Sequence, residues 1–145
     1  MKNFNTNTEN KEEWLTPPEL IAALGEFDLD PCAPPPNRRP WSMAKQHYDK
    51  TMNGLSQPWF GRVWCNPPYG RTTFIWLNRL ATHGNGIALI FARTETYGFG
   101  KQGGTANAPS CLIAYGRNNV NKIKQANLKG RLIELKKSKK SDGNV

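Results

Sequence analysis

The stretch GRVWCNPPYGRTTFIWLNRLATHGNGIALIFA, residues 61–92, has the pattern of a parallel α/β unit. Residues 61–66 form a strand candidate that ends at Pro67, and residues 86–92 form a continuous apolar run of strand length. Residues 72–81, between them, carry apolar side chains at helical spacing, namely Phe74, Ile75, Leu77 and Leu80. Because alternating strand, helix and strand segments usually build a parallel sheet, we predict an α/β fold in which residues 86–92 are a central strand buried on both faces.

Two further elements are expected upstream of this stretch. Thr16-Pro17-Pro18 followed by residues 19–24 is typical of a helix start, since threonine caps helices and proline is tolerated in the first turn. A glutamate three residues after the threonine completes a capping box, and Gly25 is expected to end the helix. Phe27–Asp30 predicts a short strand that a proline stops. The remaining expected elements are a turn of helix around 42–48, a loop over 98–109, strands at 111–115 and 132–135, and a polar helix or turn at 118–125.

The length and charge of the chain predict one domain with a cationic end. We expect residues 1–12 to form a flexible polar arm, 13–135 the domain and 136–145 a basic tail, within a total of 145 residues. Residues 1–116 hold 11 basic and 9 acidic residues, whereas residues 117–145 hold 9 basic and 2 acidic ones. This distribution indicates a polyanionic partner such as nucleic acid, with a merely solvated terminus as the open alternative.

Composition excludes several classes of protein and of site. The sequence contains no run of about 18 apolar residues, so no membrane span is predicted. The polar stretch 1–11 has no signal-peptide pattern. A cytosolic protein is therefore expected. Three scattered cysteines without a C-x-x-C pair argue against a disulfide framework or a zinc site. The two histidines have no partner at metal-ligand spacing, so we expect no metal.

Asn66-Pro67-Pro68-Tyr69 holds the residues with the clearest chemistry, at the end of a predicted parallel strand where α/β sheets bind ligands. The prolines stiffen the loop, and the Pro67 carbonyl is free to accept a hydrogen bond. The Asn66 side-chain oxygen and this carbonyl are suited to hold both N–H groups of an exocyclic nucleobase amine, which favours a more nucleophilic nitrogen. Tyr69 is suited to stack on the base once it is flipped out of a duplex, and this arrangement requires neither a carboxylate base nor a metal.

The same motif resembles the catalytic motif of the S-adenosylmethionine-dependent amino-methyltransferases of DNA. Thr16-Pro17-Pro18-Glu19 resembles the segment of that family that closes over the methionine part of the cofactor, and Leu29-Asp30-Pro31-Cys32-Ala33 resembles its cofactor-binding strand end. With Trp14, Trp41, Asn53-Gly54-Leu55, Trp59 and residues 92–96, the ensemble is similar to the small phage-type, Dam-like DNA N6-adenine methyltransferases. The similarity runs from about Trp14 to Thr96 and resumes weakly from Gly103 to Leu135.

The resemblance implies a single-domain Rossmann-like methyltransferase fold with a reduced, mostly parallel sheet. It implies methyl transfer from S-adenosylmethionine to adenine N6 at specific sites in double-stranded DNA, without a membrane or a metal. It further implies a location in the cytoplasm of a bacterial host and a phage or prophage origin. The oligomeric state stays open, with a monomer as the default. The catalytic residues that it implies are Asn66, Pro67, Pro68 and Tyr69. The cofactor-binding residues that it implies are Thr16, Pro17, Pro18, Asp30, Pro31, Cys32 and Ala33.

Three alternatives stay open at the level of sequence. Only Tyr97–Gln102 separates Thr96 from the next family-like segment, as if a helix and strand were deleted, so a DNA-binding protein with weak or no catalysis is an alternative. Asn66–Tyr69 also fits the Asn-Pro-x-Tyr pattern of exposed peptides bound by adaptor domains. Strand alternation places Asp28 and Asp30 on one face, so periodicity does not choose between them, and only the resemblance favours Asp30.

Overall fold

The computed structural model describes residues 15–91 and 110–135. Its helices are α1 (Pro18–Leu24), α2 (Thr73–His83) and α3 (Arg117–Gln125). Its strands are β1 (Leu29–Asp30), β2 (Gln46–His47), β3 (Val63–Cys65), β4 (Gly86–Phe91) and β5 (Ser110–Tyr115). Predictions that lie outside the described residues are the polar arm 1–12, the loop 98–109, the deletion after Thr96 and the basic tail 136–145.

The strands form one mixed sheet in the order β2-β1-β3-β4-β5. The first three pairings are parallel, and β5 runs antiparallel to β4. The α/β fold and the reduced, mostly parallel, Rossmann-like sheet predicted from the sequence are therefore confirmed. β4 lies inside the sheet as predicted, but burial is complete only over Gly86–Ala88 and partial over Leu89–Phe91.

The sheet carries a core on each face because neighbouring strand residues point in opposite directions. Trp64 packs on one face with Phe27 at 5.4 Å between ring centroids, and side chains of α1 and α3 cover this cluster. Val63 and Cys65 point to the other face, where they meet Trp76 and Leu80 of α2. Apolar side chains on both faces explain why β3 and β4 lack the alternation of a half-exposed strand.

Five predicted elements are confirmed with small shifts of their ends. They are the helices at residues 18–24, 73–83 and 117–125 and the strands at residues 63–65 and 110–115. The predicted capping box is wrong, because Pro17 precedes the first helical residue and no side chain caps α1. Thr16 is instead 1% exposed, and its hydroxyl makes no capping hydrogen bond to α1. This hydroxyl meets a side chain 50 positions further along the chain.

The turn of helix expected around residues 42–48 is also wrong, because this segment has bends at residues 43–45 and is extended at residues 46–47. It contains β2, where Gln46 N–H donates to the Asp28 carbonyl at 3.0 Å and Tyr48 N–H donates to the Asp30 carbonyl at 2.9 Å. The extended form prevails since it satisfies backbone groups along the open edge of β1.

The strand expected at residues 132–135 does not form. Within the part of the chain that the structure describes, the sheet order ends at β5 and these residues have no ladder partner. Leu135 is 92% exposed, so its apolar side chain gains no burial from an extended conformation.

Candidate active site

The residues predicted for catalysis and for cofactor binding meet at the carboxyl ends of β1 and β3. These strands are parallel neighbours, with Leu29 opposite Val63, so the segments that follow them leave the sheet at the same edge. A cavity of about 260 Å³ opens there. The predicted residues that line it are Thr16, Asp30, Pro31, Cys32, Ala33, Asn66, Pro67, Pro68 and Tyr69. Pro17 and Pro18 are exposed at the start of α1 and do not line it.

Asp30 contributes a buried carboxyl group to this cavity. Its side chain is 1% exposed, and its Oδ1 accepts the Cys32 N–H at 3.2 Å. Burial raises the pKa of this carboxyl to about 7, against the smaller opposing effects of that N–H and of Arg39. Withdrawal from water disfavours the charged form of the carboxyl more than these two contacts favour it.

Asp28, the competing acidic residue, has a different role. Its Oδ2 accepts the Arg62 N–H at 2.7 Å, and its Oδ1 lies 3.8 Å from Lys45 Nζ. Asp28 is absent from the cavity wall. Of the two residues that periodicity left equal, only Asp30 therefore faces the cavity.

Asn66 is held by contacts from two other segments of the chain. Its Nδ2 donates to Thr16 Oγ1 at 3.3 Å, and its backbone carbonyl accepts the Cys32 thiol at 3.1 Å. The Thr16 carbonyl in turn accepts the Trp41 indole N–H at 2.8 Å. The segment before α1 and the turn after β1 thus converge on the residue that follows β3.

The rest of the motif forms a folded loop. Pro67 is buried, and the Pro68 carbonyl accepts the Thr73 hydroxyl at 2.8 Å, which ties the loop to the first turn of α2. The Tyr69 ring meets the Phe91 ring at 6.3 Å with an interplanar angle of 67°. This arrangement is unlike the exposed, extended peptides that adaptor domains bind.

A second cavity, of about 420 Å³, is also lined by residues of this loop. Apolar side chains of α2 and β4 form much of its wall, including Phe74, Leu77 and Leu89. The two cavities share the wall residues Asn66, Pro67, Tyr69 and Phe91. The motif therefore stands between two neighbouring spaces and faces both.

Sequence reasoning missed the part of the first cavity that comes from the proline-rich segment and from α2. The wall residues that the sequence analysis did not assign to the site include Met43, Asp49, Lys50, Asn53, Gly54 and Trp76. Asp49 follows β2, but a strand of two residues leaves no periodic signal that would reveal its position. Gly54 passes so close to Pro31 that a Cβ there would lie 1.8 Å from the Pro31 carbonyl oxygen, a contact that only glycine avoids.

Titratable groups near the site do not assemble a metal centre within residues 15–91 and 110–135. Cys32 Sγ lies 3.8 Å from Cys65 Sγ, and all three cysteines are free thiols. Burial raises the pKa of the Cys32 thiol well above its ordinary value, so it stays protonated and can donate to the Asn66 carbonyl. No helix among the described residues combines the length and apolar character needed to cross a membrane.

Comparison with known proteins agrees with this geometry. The family model described as DNA N-6-adenine-methyltransferase (Dam) matches residues 3–144. Searches of curated proteins and of solved structures gave no significant match. Because the family match spans nearly the whole chain, the protein belongs to the DNA N-6-adenine-methyltransferase (Dam) family.

Proposed function

We propose that the protein is a site-specific DNA methyltransferase that transfers a methyl group from S-adenosylmethionine to the N6 amine of adenine. One observation carries this proposal: two cavities meet at Asn66–Tyr69, so a cofactor in one and a base in the other would face each other across the motif. Such proximity of two bound reactants is a large part of what an enzyme contributes to a group transfer.

The chemistry of the first cavity fits S-adenosylmethionine, which carries a positive sulfonium and an ammonium group. Asp30 offers a buried carboxyl whose pKa of about 7 leaves it ready to ionise against a cation. Trp76, Met43 and Phe91 supply apolar walls for the uncharged parts of such a ligand. The same wall includes Thr16, Pro31, Cys32 and Ala33. Helix α1 begins beside it at Pro17 and Pro18. When bound, the cofactor supplies an electrophilic methyl group.

The motif residues would prepare the amine that receives this group. Asn66 Oδ1 and the Pro67 carbonyl accept its two N–H bonds, which draws the nitrogen lone pair out of conjugation with the ring. Pro68 limits the backbone of the loop and presents no competing N–H. Tyr69 stacks on the flipped adenine, and Phe91 supports its ring from the edge.

The test is a methylation assay with isotope-labelled S-adenosylmethionine and unmethylated duplex DNA, followed by digestion to nucleosides. We expect labelled N6-methyl-2′-deoxyadenosine in the digest of DNA that was incubated with the folded protein. Asn66→Ala should abolish the label while leaving the free energy of unfolding close to wild type, since Asn66 lies in a loop at the cavity wall. Asn78→Ala, at an exposed position of α2, is the matched control and should keep full activity.

Two results would contradict the proposal. Folded wild-type protein that yields no label would exclude the enzyme and favour a DNA-binding protein without catalysis. Unchanged activity of Asn66→Ala would show that the motif is misassigned. We further propose that the protein acts on duplex DNA in the cytoplasm of a bacterial host, as the phage-type resemblance implies, and we take a monomer as the default oligomeric state. Chromatography with light scattering, with and without a DNA duplex, would test the monomer and the DNA complex.

A further inference from the structure

Thr16 makes a contact that its position in the chain does not suggest. It precedes α1, where threonine commonly caps the helix, yet no side chain caps α1. Its hydroxyl instead accepts a hydrogen bond from Asn66 Nδ2 at 3.3 Å, across a separation of 50 positions. Since Thr16 is 1% exposed, water does not compete for this bond in the described structure.

The backbone on both sides of this bond is held in place. The Trp41 indole N–H binds the Thr16 carbonyl at 2.8 Å, and the Cys32 thiol binds the Asn66 carbonyl at 3.1 Å. These two contacts hold the backbone, whereas the bond to Thr16 acts on the Asn66 side chain itself. This bond restricts rotation of the side chain on the Nδ2 side.

The orientation of an asparagine amide decides which atom it presents. A target amine needs the acceptor oxygen, because a rotated amide would set its own N–H groups against those of the base. In this structure the hydrogen bond from Nδ2 to Thr16 sets the nitrogen on the Thr16 side and Oδ1 on the other side of the amide. Donation from Nδ2 also polarises the amide, which makes Oδ1 a stronger acceptor.

We propose that Thr16 is a positioning residue that orients the Asn66 amide so that Oδ1 faces the target amine. This inference rests on the proposed function and extends it. Thr16 also lines the first cavity, so a direct contact with the cofactor is the competing role that the experiment must separate.

The experiment compares Thr16→Val, which removes the hydroxyl at nearly constant volume, with Thr16→Ser, which keeps it. Thr82→Val, at an exposed position of α2, is the matched control. We expect Thr16→Val to lower kcat about tenfold, the effect of losing one neutral hydrogen bond from an oriented group, with KM for DNA and Kd for S-adenosylmethionine unchanged. Thr16→Ser, which retains the hydroxyl, should restore most of the kcat lost in Thr16→Val, and Thr82→Val should keep kcat close to wild type.

Two kinetic outcomes would overturn the proposal. An unchanged kcat for Thr16→Val would show that the hydroxyl does not position Asn66. A raised Kd for S-adenosylmethionine with kcat unchanged at saturation would show that Thr16 is a cofactor contact instead. Trp41→Phe gives a second variant, because it releases the Thr16 carbonyl but keeps the hydroxyl, and we expect a smaller fall in kcat.

A spectroscopic measurement separates this inference from the proposed function. The side-chain NH₂ signals of Asn66 in ¹H–¹⁵N spectra should shift in Thr16→Val and return toward wild type in Thr16→Ser. If wild-type protein showed no methyl transfer, the proposed function would be refuted. The spectra would still show whether Thr16 binds the Asn66 side-chain amide. Identical Asn66 signals in wild type and Thr16→Val would refute the hydrogen bond itself.

Discussion

Asp30 is a carboxyl group that the fold withdraws from water at the wall of the first cavity. Burial raises its pKa from an ordinary 3.8 to about 7. Between these values the folded protein holds a proton that the unfolded chain has released, so the contribution of Asp30 to the free energy of unfolding falls as pH rises. Above about pH 7 the folded state carries the full cost of a buried charge, which a cationic ligand would relieve.

Asp30→Asn should remove this pH dependence. Asparagine keeps an acceptor for the Cys32 N–H but never ionises, so we expect a higher free energy of unfolding than wild type at pH 8 and little difference at pH 4. The same variant should bind S-adenosylmethionine more weakly at pH 8. Denaturant titrations at both pH values, with calorimetry for the ligand, measure these effects. Glu19→Gln, exposed in the first turn of α1, serves as control, and equal stability profiles for Asp30→Asn and wild type would disprove the expectation.

A buried polar cluster joins helix α3 to the end of the sheet opposite the motif. Arg62 Nε donates to Asn119 Oδ1 at 2.6 Å, and Asn119 Nδ2 donates to the Tyr115 carbonyl at 2.7 Å and to Asn85 Oδ1 at 2.8 Å. Asn119 is fully buried, and the Arg62 guanidinium lies 4.1 Å above the Phe27 ring centre. The cluster orders α3, whose apolar side chains cover the Trp64 face of the sheet.

Asn119→Ala should destabilise the protein by about 3 kcal/mol, because it removes a hydrogen-bond partner from a buried guanidinium. Urea unfolding followed by tryptophan fluorescence measures the change. Asn121→Ala, on an exposed position of the same helix, should change the free energy of unfolding by less than about 0.5 kcal/mol. A wild-type urea midpoint for Asn119→Ala would show that the cluster contributes nothing to stability.

At the scale of the whole molecule, the cluster of basic residues and the candidate site lie in different parts of the chain. The candidate site is built from residues 16–91, whereas residues 117–145 carry 9 of the 20 basic residues. Phosphate contacts add affinity without base recognition, so we expect the cationic end to contribute to DNA affinity but not to the choice of base.

A chain ending at Leu135, which lacks Lys136, Lys137, Lys139 and Lys140, should therefore bind duplex DNA with a weaker dependence on salt. The slope of log affinity against log salt should become shallower by about 0.9 for each phosphate that the shortened chain no longer neutralises. Fluorescence anisotropy over a salt series measures the slope. Replacement of the same four lysines by glutamine controls for chain length and should reproduce the effect. An unchanged slope would show that these lysines do not touch phosphate.

Local patterns in the sequence were sufficient for α2, β4 and the motif at the end of β3. The apolar spacing of residues 73–83 and the apolar run of 86–91 are properties of a few consecutive residues, and they held in the structure. Asn66–Tyr69 could be placed at a sheet edge for the same reason, since the strand before it was recognisable.

Contacts between residues far apart in the chain determine β2, the difference between Asp30 and Asp28, and the partner of Thr16. β2 exists because Gln46 and Tyr48 bind the backbone of β1, and Asp30 differs from Asp28 because the fold buries only one of them at the cavity. Thr16 was expected to cap a helix, but its hydroxyl turned to Asn66. Sequence alone thus established the class of fold and placed the candidate motif at the end of a strand, since these follow from neighbours in the chain. The cavities, the state of the Asp30 carboxyl and the orientation of Asn66 depend on burial and on partners many residues away, which no local pattern encodes.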